Sequence, residues 1–373
     1  MTGPLPEEAY AAALAGLPGM GPARLAAALD GGRRSPGESW EAVLRGALPV
    51  ADQTLRTAWR RRARATDVAA GWAAVRAAGV AVHAVGLDGY PSALAADHEA
   101  PAVLFSRGRI DGIDGRRVAI VGSRECTRYG RDVAYSLGRD LAAAGVGVVS
   151  GLALGVDGAA HSGVLAAGGA PPVAVVGSGL DVVYPRRNAE LWRAVADAGV
   201  VLSEAPLGAA PEPWRFPVRN RIIAALAEVV VVVESRHRGG SRHTVEAAMA
   251  RDRPVLAVPG PVCSPASELP NALLAEGCHP ARDAVDVLVA LQLSTPLPGT
   301  GPSPDRRPPV DATARPVLDA LGWDRVTFEQ LVMATGRSPG EVGVALAHLE
   351  RDGWVAGSGG WWEQRACDGP PTG

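Results

Sequence analysis

The sequence predicts an α/β fold with a doubly wound, mainly parallel sheet, flanked by a helical N-terminal domain and a C-terminal winged helix. Three observations carry this expectation. Short β-branched, apolar runs recur at 80–85, 118–121, 146–149, 172–176, 200–202, 229–233 and 255–258, with helical patterns between most of them. Apolar strands that alternate with helices are how a parallel sheet covered on both faces reads. A Pro-, Gly- and Ser-rich tract at 294–311 then sets this region apart from a compact unit at 312–363.

The first 66 residues read as a helical domain. Within it, Leu14 to Leu25 (LAGLPGMGPARL) has the cadence of a SAM or helix-hairpin-helix turn, with Pro22 opening the second helix. Hairpins of this kind hold a DNA phosphate or serve only as packed turns, and both readings stay open. Arg56, Arg60 and Arg64 recur at i, i+4 spacing, as a basic or simply a solvated face.

Residues 67–293 form the α/β domain, and the loops at the carboxyl ends of its strands decide its function. After 118–121 come Gly122, Ser123 and Arg124, then a helix from Tyr129 with Val133, Leu137 and Leu141 on one face. A strand running through a glycine turn into a helix predicts an anion site, and Arg124 adds a guanidinium fork suited to phosphate. The turn lacks both the G-x-G-x-x-G of dinucleotide binding and the Gly-Lys of a P-loop. The chain contains no lysine at all. Ser150 and Gly151 come after the next strand, Gly177 to Asp181 and Tyr184 to Asn188 after the third, and Ser203-Glu204 after the fourth. Glu234 and then Gly239-Gly240-Ser241-Arg242-His243-Thr244 come after the fifth. Small residues, hydroxyls and arginines thus gather on one edge of the sheet. Trp214 to Arg221 (WRFPVRNR) interleaves aromatics with arginines, the pattern of a single-stranded nucleic-acid groove, or of a helix start with buried rings.

In the last unit, Thr327 with Gln330 and Ser338 with Glu341 spell two capping boxes, and Trp354-Val355 and Trp361-Trp362 flank a glycine-rich hairpin. The third helix carries Glu341, His348, Glu350, Arg351 and Asp352, which is no basic stripe for DNA. A protein-contact or spacer role is expected for it, with residues 364–373 as a tail.

Composition narrows the function. The 373 residues are 47% hydrophobic and 20% charged with a formal net charge of −2, so any polyanion site must be local. Cys126, Cys263, Cys278 and Cys367 have no zinc or disulfide spacing, and no metal or cofactor is expected. The first residues show no signal-peptide pattern and no run approaches a membrane span, so a cytoplasmic location away from membranes is expected.

With these residues laid out, the chain resembles the DprA/Smf family of bacterial DNA-processing proteins. The resemblance runs through VAIVGSRECTRYG, VVSGLALGVDGAAH, GSGLDVVYPRRNAEL, LSEAPLG, FPVRNRIIAAL and RPVLAVPG, in order, over most of 88–277. It implies an extended Rossmann fold that binds single-stranded DNA cooperatively, loads RecA in natural transformation, forms a homodimer and turns over no substrate. The implied DNA pocket holds Gly122, Ser123, Arg124, Ser150, Gly151, Phe216, Arg219, Asn220, Arg221, Ser241 and Arg242. Two departures stand out. The family's Ser-Gly-Ser is Gly239-Gly240-Ser241 here, and its S-x-G-x-N-x-L-I-x-x-G-A survives only in part between Ser267 and Cys278. The resemblance places the dimer surface in this second region. Leu273 and Leu274 are adjacent there and cannot both face one core direction, so one is expected at the surface.

An enzyme is the rival reading. Phosphoribohydrolases that cleave nucleoside monophosphates carry P-G-G-x-G-T-x-x-E, and Gly239 to Glu246 (GGSRHTVE) is a partial echo of it. Asp157 and His161 would be the acid/base pair in that reading, or a helix cap and a packed histidine in the structural one.

Overall fold

The computed structural model describes residues 4–48, 52–292, 307–322 and 325–365. Five helices come first: α1 (Glu7–Ala15), α2 (Pro22–Ala28), α3 (Pro36–Arg45), α4 (Gln53–Arg64) and α5 (Val68–Ala77). The turn between α1 and α2 is the hairpin read from the sequence, with Gly21 as N-cap and Pro22 in the first turn. It is pinned from outside, because the Trp59 indole N–H donates to the Pro18 carbonyl at 2.8 Å.

The sheet has nine strands: β1 (Ala81–Ala84), β2 (Val103–Gly108), β3 (Arg117–Val121), β4 (Gly147–Ser150), β5 (Val173–Val176), β6 (Val200–Ser203), β7 (Val229–Val232), β8 (Val255–Ala257) and β9 (His279–Pro280). Their order is β1-β2-β6-β5-β4-β3-β7-β8-β9. All pairings from β6 to β9 are parallel, whereas β1 and β2 are antiparallel to their neighbours. The fold is therefore doubly wound and mainly parallel, as the strand pattern predicts. Strands β2 and β9 are additions to the seven runs read from the sequence. The second of these is a two-residue exposed edge that no hydrophobic pattern marks.

Helices cover both faces. On one lie α7 (Arg128–Ala143), α8 (Val156–Ala167) and α13 (Ala284–Ala290), with α9 (Ala189–Ala198) and the N-terminal helices extending the same layer over β1, β2, β5 and β6. The short α6 (Ser92–Ala95) with α10 (Arg215–Leu226), α11 (Arg242–Met249) and α12 (Glu268–Ala275) covers the other. Central strands such as β7, four valines in a row, are buried along their whole length. That double burial is why they read as unbroken apolar runs rather than alternating ones.

The C-terminal unit is a winged helix: α14 (Arg315–Leu321), β10 (Val326–Thr327), α15 (Phe328–Thr335), α16 (Pro339–Arg351) and the hairpin β11 (Val355–Ser358) and β12 (Trp361–Gln364). Both capping boxes form. The linker differs from expectation at its end. Residues 294–306 lie outside the described residues, but Arg307 stacks on Trp354 at 3.8 Å and the Pro308 carbonyl accepts from the Trp354 indole N–H at 2.9 Å. A half-buried Trp ring gives even a proline-rich stretch something to pack on. The wing docks on the α/β domain, where the Glu363 carboxylate accepts from the Arg128 N–H at 2.5 Å and pairs with Arg325.

The leucine pair also separates. Leu273 is 3% exposed in the core beneath α12, while Leu274 is half-buried at the surface. Leu273→Ala is expected to lower stability by about 2–5 kcal/mol, as a cavity in a packed core does. Leu274→Ala should cost well under half of that, and urea unfolding of the two variants checks the contrast.

Candidate nucleic-acid interface

Strand order decides where a ligand can sit. From β3 the chain crosses to β4, β5 and β6 on one side, then returns to β7 on the other. Connections that diverge in this way leave a crevice beyond the carboxyl ends of β3 and β7. The turns that flank it are held together. The Ser123 N–H donates to the Glu234 carbonyl at 2.6 Å, and the Ser123 carbonyl accepts from the Val156 N–H at 3.2 Å. Gly122 is required at this junction, since a Cβ would lie 2.6 Å from Val156 Cγ2 and 2.7 Å from the Glu234 carbonyl oxygen.

One expectation is corrected here. The positive end of α7 does not face a ligand, because two carboxylates already fill it. Glu234, 2% exposed, accepts from the Thr127 N–H at 2.8 Å and the Thr127 hydroxyl at 2.7 Å. Glu363 takes the next N–H, that of Arg128. The helix dipole is thus complemented from within the chain. What stands open in front of the turn is a set of side chains.

Those side chains form an aromatic and cationic cluster. The exposed Arg124 lays its guanidinium over the Phe216 ring at 4.8 Å, and the Tyr184 ring lies 5.7 Å from Phe216 at an angle of 40°. They wall a cleft of about 630 Å³ together with Gly122, Ser123, Asn220 and Ser241. Asn220 is oriented by its side-chain amide, which donates to the Gly240 carbonyl at 3.2 Å, and Ser241 by a 2.7 Å hydrogen bond to the Ser235 hydroxyl.

Three of the expected residues form the floor rather than the surface. The Ser150 hydroxyl is buried and donates to the Ile120 carbonyl at 2.6 Å. The Gly151 N–H donates to Asp157 Oδ2 at 3.1 Å, and its Cα leaves no room for a side chain against Arg219. Arg219 is 6% exposed and donates to the Val175 carbonyl. Burial pushes its guanidinium down to about 10, with Asp157 opposing that shift and Arg124 adding to it. A cation this deeply buried in a low-dielectric setting adds positive potential at the cleft, offset by the Asp157 carboxylate near it.

Two arginines are not brought to the cleft. Arg221, two residues beyond Arg219, points elsewhere and pairs with Glu204 at 2.6 Å. Arg242 pairs with Glu246 at 3.0 Å outside the cleft, and His243 lines the wall in its place. Tyr184 is the residue that the expected set lacks. Its signal was available, as an aromatic following the β5 glycine turn, but nothing in the sequence says that it reaches Phe216.

Of the acid/base pair of the enzyme reading only the histidine is sealed, since Asp157 is among the residues that line the cleft. His161 is fully buried, and desolvation pushes its imidazole down to about 4. Asp157 does not cap its own helix but ties the Gly151 turn, and burial raises its carboxyl while Arg219 lowers it. Glu246, the acid of the partial phosphoribohydrolase echo, is exposed, pairs with Arg242 and the wall residue His243, and does not itself line the cleft. Among the described residues no cluster of His, Cys, Asp and Glu could hold a metal ion, and no helix is long and apolar enough to cross a membrane.

Residues 81–292 match the family model for DNA recombination-mediator protein A, and 301–360 match the DprA winged helix domain. The chain belongs to the DprA/Smf family. Protein Smf of Escherichia coli K12 is 35% identical over 285 residues, 74% of this chain and 76% of that protein. The putative DNA processing protein DprA of Mycobacterium tuberculosis H37Rv is 39% identical over 266 residues, covering 70% and 68%. Among solved structures, DprA from Streptococcus pneumoniae superimposes with a TM-score of 0.62 at 30% identity, covering 76% of this chain and 96% of that one. DNA processing protein A from Helicobacter pylori, described for its single-stranded DNA binding mode, gives 0.52 at 27% identity over 57% and 95%.

His161 gives a test of this buried floor. Its folded value of about 4 lies below the ordinary 6.5, so above 6.5 neither state takes the proton. As pH falls from 6.5 towards 4 the unfolded chain is protonated first, and stability should drop by about 3 kcal/mol in full. Urea midpoints at neutral pH and near pH ~4.5 should differ less in His161→Gln than in the wild type.

Proposed function

We propose that this chain binds single-stranded DNA in the cleft at the β3–β7 switch point and acts as a recombination mediator that loads RecA, in the cytoplasm and without catalytic turnover. The observation that carries the reading is the stack of Arg124 on Phe216 beside Tyr184. A cation on an aromatic face serves both parts of a nucleotide, the phosphate and the base. A duplex hides its base faces, so a cleft built on rings favours the single strand. The relatives support the reading, one of them through a single-stranded DNA binding mode. The enzyme alternative loses support with the burial of His161 and the outward turn of Glu246.

Arg124→Ala should weaken binding of oligo-dT and lower the salt slope by about 0.7, one phosphate's share on a single strand. Phe216→Ala should cost about 1–3 kcal/mol with the salt slope nearly unchanged. Titrations at several salt concentrations separate the two. Wild-type affinity and slope in both variants would sink the proposal.

The mediator is also proposed to work as a homodimer through the surface around Leu274. A half-buried leucine on α12 offers an apolar anchor for a symmetric contact. Leu274→Arg should give monomers by light scattering, with each cleft intact and cooperative DNA binding reduced. Dimers that persist in that variant would place the interface elsewhere.

A further inference from the structure

Next to the Arg124–Phe216 cleft lies a larger one, about 740 Å³, between the N-terminal hairpin and the loops after β5 and β6. Gly16 to Pro22 forms one wall, and Trp214 with Arg215 stands on the other. A small cavity between the two clefts has Gly177, Phe216 and Arg219 among its walls. The three hollows lie side by side along the sheet edge, sharing lining residues.

Trp214 is 47% exposed, yet its ring is fixed. Its indole N–H donates to Glu212 Oε2 at 3.1 Å, and the Arg215 guanidinium lies 4.6 Å from the ring centroid. Glu212 in turn pairs with Arg215 at 3.0 Å. One charge pair therefore locks an aromatic plate in an open cleft. The remaining acid of the wall, Glu204, is neutralised by Arg221. Arg24 and the nearly buried Arg219 are the wall's remaining cations, and beside them a base finds a preorganised face. The opposite wall is equally firm, since Trp59 and Arg24 each donate at 2.8 Å to carbonyls of the hairpin turn.

We infer that this second cleft receives a further base of the same single strand, stacked on Trp214, so that the N-terminal hairpin forms part of the DNA path. The inference rests on the Arg124–Phe216 reading and extends it. Stacking on a ring is tolerant of sequence, so the subsite accepts any base. It also lengthens the site by one stacking position.

The test is an oligo-dT series from about 4 to about 16 nucleotides, the range that one such site spans. Trp214→Ala and Trp214→Leu should match the wild type on the shortest strands and fall about tenfold behind on the longer ones. Trp214→Phe, which keeps a ring, should retain the gain with length. Salt slopes should be equal in all four proteins. Arg124→Ala, run alongside, should bind weakly at every length. If the alanine and leucine variants track the wild type at all lengths, Trp214 stacks no base and only the extension falls. If Arg124→Ala binds normally throughout, the first cleft is wrong and the inference falls with it.

Discussion

Glu234 is the group on which the site depends. It follows β7 with its carbonyl bound to the Ser123 N–H and its buried carboxylate bound twice to Thr127. A carboxylate with so little exposure is tolerable only when its oxygens are satisfied by donors. The donors it finds are those of the turn after β3 and the start of α7, so its own desolvation ties the two halves of the doubly wound sheet together at their switch point. Remove that tie and Arg124 has no fixed place from which to reach Phe216.

The same logic extends to the winged helix. Glu363 satisfies the next amide of α7, and Arg325 balances its charge. The third helix of that unit carries no basic stripe, and its wing instead meets the α/β domain through one carboxylate. In this arrangement the unit contributes a contact beside the Arg124–Phe216 cleft.

Charge placement is a consequence of burial. With a formal net charge of −2 the chain has no general attraction for polyanions. Arg219 stands beneath the cleft, Arg124 at its mouth, and Arg221 and Arg215 are neutralised by Glu204 and Glu212. A small number of arginines therefore carries the local field, and the rest support the rings and loops.

Much of this was legible in the sequence for a simple reason. Strand runs, glycine turns and capping boxes are local patterns, and the order of the strand-end loops alone pointed to one edge of the sheet. Gly122, Ser123 and Arg124 follow from that order, and Phe216 from the interleaving of rings and arginines at 214–221. Side-chain direction was not local. Arg219 and Arg221 share one helix two residues apart, so roughly opposite faces send one under the cleft and the other to Glu204. Leu273 and Leu274 differ in burial for the same reason, since adjacent positions on α12 face different ways. Tyr184 joins Phe216 only because β5 and α10 are neighbours in space, and Glu234 reaches α7 only because β7 lies beside β3. A sequence states which groups come after each strand, but the strand order, a property of the whole sheet, determines which of those groups meet.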